Sequence, residues 1–112
     1  MLFIFEIHIR PGYTPEQYAD AWVRASRIIQ SAPGAQGTRL HRKIGSPNVL
    51  LAIATWESKA IRDTMEAQQA DKVRAIIDEQ AEFVEVRIIG EYDAPEWVVL
   101  PGDKGGSCFV RV

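Results

Sequence analysis

Glu6 and His8 stand two residues apart near the start of the chain, so in an extended strand both side chains leave the backbone on one face. Imidazole takes up and releases a proton near neutral pH, and a neighbouring carboxylate can orient it. His8 could therefore act as a base on an electron-rich phenol or an activated carbon, with Glu6 as its orienter. The same two groups could instead make interface hydrogen bonds with a facing sheet. Arg87, on a later strand, could neutralise the resulting anion or pair with Glu85, Glu6 or Glu91 across strands. Arg39 and His41 alternate onto one face of another strand, where they could bind an enolate or simply be solvated. Trp56, Trp22, Tyr18 and Tyr92 offer walls and hydroxyls for a planar substrate, and each also fits an ordinary packing position.

Other chemistries find little support. Two His and one Cys without close ligand spacing give no metal motif. Cys108 cannot form an internal disulfide and has no basic cluster beside it to activate the thiol. The stretch Gly102 to Gly106 lacks the strand-before, helix-after setting of a phosphate loop and reads as a linker. With a net charge of -2 and Lys and Arg scattered among acids, no field draws the chain to nucleic acid or an anionic membrane. The apolar opening from Met1 to Phe5 is interrupted by Glu6 and followed by no cleavage site, and no stretch approaches a membrane span. The expectation is a cytoplasmic protein.

At 112 residues the chain is one domain. Residues 2–10 read as a strand with Phe3, Phe5, Ile7 and Ile9 on one face and Leu2, Ile4, Glu6 and His8 on the other. Thr14-Pro15-Glu16-Gln17 is a helix start with a capping box. The helix carries Tyr18, Trp22, Ala25, Ile29 and Ala32 along one stripe until Pro33-Gly34 stops it. Strands follow at 38–44 and 49–56, with a turn at Gly45-Ser46-Pro47-Asn48. The second of these is apolar on both faces and needs cover on both. Ser58 caps a second helix with Ile61, Met65, Val73, Ile76, Ile77 and Gln80 near one stripe, and Gln68-Gln69 predicts a kink or break near 66–71. A last strand spans 83–92, sending Val84, Val86 and Ile88 one way and Glu85, Arg87 and Glu91 the other.

The order is βαββαβ, an α+β ferredoxin-like plan with an antiparallel sheet. Helices then cover one face of the sheet only. Residues 94–112 fall outside this plan, leaving 1–93 as the domain. Their apolar runs Trp97 to Leu100 and Cys108 to Val112 would expose a large patch if left free. Docking on a partner subunit, or adding a strand to a sheet edge, is expected.

With that order in place, Pro33-Gly34-Ala35-Gln36-Gly37, Leu40-His41-Arg42, Pro47, Leu50-Leu51 and Trp56-Glu57-Ser58-Lys59-Ala60 resemble the antibiotic biosynthesis monooxygenase family over about residues 1–92. The resemblance implies a homodimeric α/β barrel in which two four-stranded sheets face each other. It also implies a cofactor-independent monooxygenase acting on a small planar aromatic such as a quinol or anthrone. An isomerase or lyase of the same fold, or a non-catalytic small-molecule-binding or stress-associated protein, remains open. The haem-degrading branch is a poor match, because the first strand has no Asn and the second helix neither Trp nor His.

Overall fold

The computed structural model describes residues 1–102, apart from the side chains of Ala70 and Val73. The elements run β1 (Leu2–Ile9), α1 (Pro15–Ile29), β2 (Ala35–Lys43), β3 (Ser46–Trp56), α2 (Lys59–Gln80) and β4 (Val84–Tyr92). The strands form one four-stranded sheet in the order β2-β3-β1-β4, antiparallel at every pairing. The α+β ferredoxin-like plan stands. The expected strand-like run Cys108 to Val112, and the loop from Asp103 onward, lie outside the described residues.

Thr14 caps α1 as its residue type demands: its side chain accepts from the Gln17 N–H while the Gln17 side chain accepts from the Thr14 N–H. The α1 stripe packs on the sheet, with Tyr18 2% and Ala25 7% exposed. From below, Ile7, Ile9, Leu50 and Val84 close the core against Tyr18. Both helices lie on this face. Leu2, Ile4, Glu6 and His8 on β1, with Leu51, Ile53 and Thr55 on β3, point to the other face, away from both helices.

Three expectations need correction. α2 is unbroken over its 22 residues; Gln68 and Gln69 are good helix formers, so they dilute the apolar stripe without stopping the helix. The β2–β3 turn is tighter than expected, because Lys43 pairs with Ser46 and Gly45 takes a φ of +84°, so Ser46-Pro47-Asn48 joins β3. In β4 the register against β1 shifts between Ile4 and Phe5, which skips Ile89 and turns the strand's alternation over. Glu91 therefore sits opposite Phe3, on the helix face, where its carboxylate lies 3.2 Å from Lys59 Nζ. It is not on the face of Arg87.

Beyond β4, Trp97, Val99 and Leu100 are 70%, 57% and 57% exposed. Val98 alone of this run is half-buried, at an isolated β-bridge.

Candidate functional site: a cavity between sheet and helices

The side chains on the helix face are uneven in size, and that unevenness makes space. β3 presents Ala54 beside Trp56, and α1 presents Ala25 and Ser26 beside Trp22. Small residues opposite small residues leave a gap that their bulky neighbours wall off. The result is a cavity of about 580 Å³ between the layers. Phe3, Phe5, Thr38, Val86 and Ile88 complete its floor, and Met65, Gln69 and Ile77 of α2 its roof. Gln69, which interrupts the apolar stripe of α2, is thus a wall of the cavity.

Trp56 is 1% exposed and fixed by its main chain, whose N–H donates to the Met1 carbonyl at 2.8 Å. Tyr18 brings a phenol to the cavity wall, and burial pushes its ionisation well above the ordinary range for tyrosine. It is consequently a hydrogen-bond donor at neutral pH and not a base. Arg62 holds its guanidinium 4.0 Å from the centre of the Phe3 ring, a cation–π arrangement that orients the charge. Its Nη1 lies 3.7 Å from the Glu66 carboxylate, with only 16% of the Arg62 side chain exposed. Cavity wall residues from both helices therefore supply a neutral donor, two cations (Arg62 and Arg74) and two carboxylates (Glu66 and Asp78).

The sheet divides the residues expected from the sequence into two sets. Tyr18, Trp22 and Trp56 line the cavity. Glu6, His8 and Arg87 come together on the opposite, open face: Glu6 sits directly across from Arg87, and His8 from Glu85. There His8 Nε2 and Glu6 Oε1 are 2.5 Å apart, and Arg87 Nε lies 3.8 Å from Glu85. His41 is in the same row as Glu6, with Leu51 between them, and Arg39 is in the row of Ile4. Tyr92 sits at the far end of that face, across from Leu2. The open-face set is a cluster, but the sheet stands between it and the cavity.

Phe3, Phe5, Arg62, Gln30 and Gln80 join the cavity without having been singled out as site residues. Gln80 had a legible signal, an amide on an apolar stripe. Arg62 had none, since one Arg on a charged helix looks like any other. A shallower hollow of about 220 Å³ lies beside Glu16 and Arg42, whose side chains satisfy each other at 2.8 Å. Among the described residues no group of three or more His, Cys, Asp or Glu side chains could hold a metal ion. No described helix is long and apolar enough to cross a membrane.

Against known proteins, the profile of the family described as antibiotic biosynthesis monooxygenase matches residues 1–79. No curated protein matches the sequence. Among solved structures the chain is similar to SnoaB, a cofactor-independent oxygenase from Streptomyces nogalater, at 15% identity and a TM-score of 0.66, covering 83% of this chain and 93% of that one. It is also similar to a candidate antibiotic biosynthesis monooxygenase from Bordetella bronchiseptica, at 24% identity and a TM-score of 0.60, covering 81% and 95%. Protein PA3566 of Pseudomonas aeruginosa gives 14% identity and a TM-score of 0.64, covering 84% and 94%. At such identities structural likeness fixes the fold alone, whereas the profile match takes in most of the chain and both the β1–β3 sheet core and α2. The chain belongs to the antibiotic biosynthesis monooxygenase family.

Proposed function

We propose that the protein is a cofactor-independent monooxygenase that binds a small planar aromatic, such as a quinol or an anthrone, in the cavity between sheet and helices. The cavity itself carries this reading. Its 580 Å³ falls in the range of small-molecule sites, and the aromatic walls Phe3, Phe5, Trp22 and Trp56 suit a flat substrate whose polar atoms meet side chains such as Arg62 and Tyr18. Tyr18 donates to the substrate oxygen, and Arg62 stabilises the anion that forms when the substrate loses a proton. Glu66, 3.7 Å from Arg62, is the carboxylate placed to receive that proton. The electron-rich anion then reduces dioxygen. At a methylene carbon one oxygen atom becomes the new carbonyl, and the other leaves as water with the two hydrogens.

In this reading Glu6, His8 and Arg87 do not touch substrate. They lie on the sheet face away from both helices, which also carries Leu2, Ile4, Leu51 and Ile53. A second copy supplies the cover, with the charged cluster setting its register, and the protein acts as a homodimer.

The test is oxygen uptake by the purified protein with a panel of hydroquinones and anthrones, without added metal, flavin or haem and corrected for autoxidation. Uptake above background that falls by about tenfold or more in Arg62→Met is expected. Full turnover in Arg62→Met, together with loss in His8→Ala, would move the chemistry to the open face.

A further inference from the structure

A cavity is reached where the side chains that line it are themselves exposed to solvent. Among the described lining residues, the exposed ones all belong to α2 or β4: Glu66, Arg74, Ile77 and Asp78 on the helix, Val86 and Ile88 on the strand. Every described lining residue from α1, β1, β2 and β3 is buried or half-buried. The cavity therefore opens along one side, between α2 and β4.

Sheet order and the anchoring of α2 explain the opening. β4 stands at the edge of the order β2-β3-β1-β4, with Val86 across from Ile7 and Ile88 across from Phe5. Cover is lost between these two strands: Ile7 is 0% exposed, whereas Val86 is 50% and Ile88 71% exposed. α2 does not pack down on them. Met65 and Gln80 are its buried residues among those described, and Ile77 is 52% exposed. The helix is held at its two ends instead. In its first turn Ile61 lies against Gly34, and Lys59 Nζ is 3.2 Å from Glu91 near the end of β4. In its last turn Glu79 lies 3.5 Å from Arg24 Nη1. Residues 81–83 then turn straight into β4, the Phe83 N–H donating to the Gln80 carbonyl at 2.9 Å. The opening is thus a slot. α2 and β4 form its long sides, the Lys59–Glu91 pair one end and the turn before Val84 the other.

We infer that substrate enters and leaves through this slot, and that Ile77, Val86 and Ile88 govern its passage. The inference rests on the reading of this cavity as the substrate site. Apolar side chains at the entrance suit a planar aromatic, which sheds water as it passes. A residue that lines only the path changes the rates of entry and exit by the same factor, because both cross one barrier, and leaves Kd as it was. A residue that holds the bound ligand changes Kd, chiefly through dissociation.

The test is stopped-flow binding of 1-naphthol, a small planar phenol followed by its own fluorescence, to the full chain. Mixing is done under nitrogen, so that binding is read without turnover. Ile77→Trp and Ile88→Trp place bulk in the slot at positions already exposed, and either carries the test should the other fail to fold. Ile44→Trp, at a turn residue that is 100% exposed and outside the cavity lining, is the control. In the slot variants association and dissociation rates are each expected to fall about tenfold, with Kd within about twofold of its original value. The control is expected to change neither rate. Ala54→Leu, which intrudes on the cavity, is expected to abolish the signal and so to place the probe inside. Unchanged association rates in folded slot variants overturn the inference and leave the cavity as the site, as does a change in Kd carried by dissociation alone. No binding to the unmodified chain, or binding that survives Ala54→Leu, overturns the cavity reading and the inference with it.

Discussion

Ala52 and Ala54 are two residues apart on β3 and face the same way, yet enlarging them should have opposite consequences. Ala52 is 0% exposed within the cluster of Ile7, Tyr18 and Leu50, whereas Ala54 borders the 580 Å³ cavity. Ala→Leu adds three carbons. At Ala54 they enter empty space, and at ~0.8 kcal/mol per buried methylene they are worth roughly 2.4 kcal/mol. Subtracting ~0.5–1 kcal/mol of lost rotamer freedom leaves about 1.5 kcal/mol of stabilisation. At Ala52 the same carbons meet close-packed atoms, and overpacking costs ~1–3 kcal/mol. The two variants should therefore differ by about 3 kcal/mol, or on the order of 10 °C in Tm for a domain of this size. Urea and thermal unfolding measure this, at one protein concentration because association shifts apparent stability. Ala54→Leu should also abolish turnover of the hydroquinone and anthrone panel. Equal destabilisation by both substitutions would refute the cavity, and with it the proposed site.

Further outcomes follow from single positions. Trp56→Ala removes a side chain that is 1% exposed and should cost ~3–5 kcal/mol, read by chemical denaturation. Gly34→Ala should cost ~1–3 kcal/mol, because Gly34 has a φ of +86° and a Cβ there would collide with Ile61. Arg42 lowers the Glu16 carboxyl below its ordinary 4.5, first through their side-chain hydrogen bond. A lowered folded value stabilises the fold above the unfolded pKa, and that contribution is lost as pH falls through the folded value. NMR titration should show the Glu16 midpoint returning toward 4.5 in Arg42→Ala. Burial raises Tyr18 above its ordinary 10.0, so stability should decline as pH rises past that value, where only the unfolded chain ionises. Tyr18→Phe should reduce this alkaline loss.

The strand alternation of β1 to β3, the Thr14 cap and the Tyr18–Trp22–Ala25 stripe were legible because each depends on neighbours within a few residues. So was the one-sided covering of the sheet, which follows from the order of elements. Residue types also drew attention to His8, Glu6 and Arg87, and the structure does gather them, since residues on paired strands meet through register. Their type could not reveal that the cavity opens on the other face. The β4 bulge that turns Glu91 toward Lys59 is likewise a property of pairing, invisible in the alternation of β4 alone.

What the sequence determined by itself is the set of elements, their apolar faces and the family, because periodicity, capping and turn chemistry are local. What only the tertiary structure decided is where empty space remains. A cavity is set by how Ala54, Ala25 and Ser26 meet across two layers that are far apart in the chain. The surroundings of the Gln80 amide, 6% exposed at the end of α2, are decided in the same way, because what a buried group meets depends on every element packed around it.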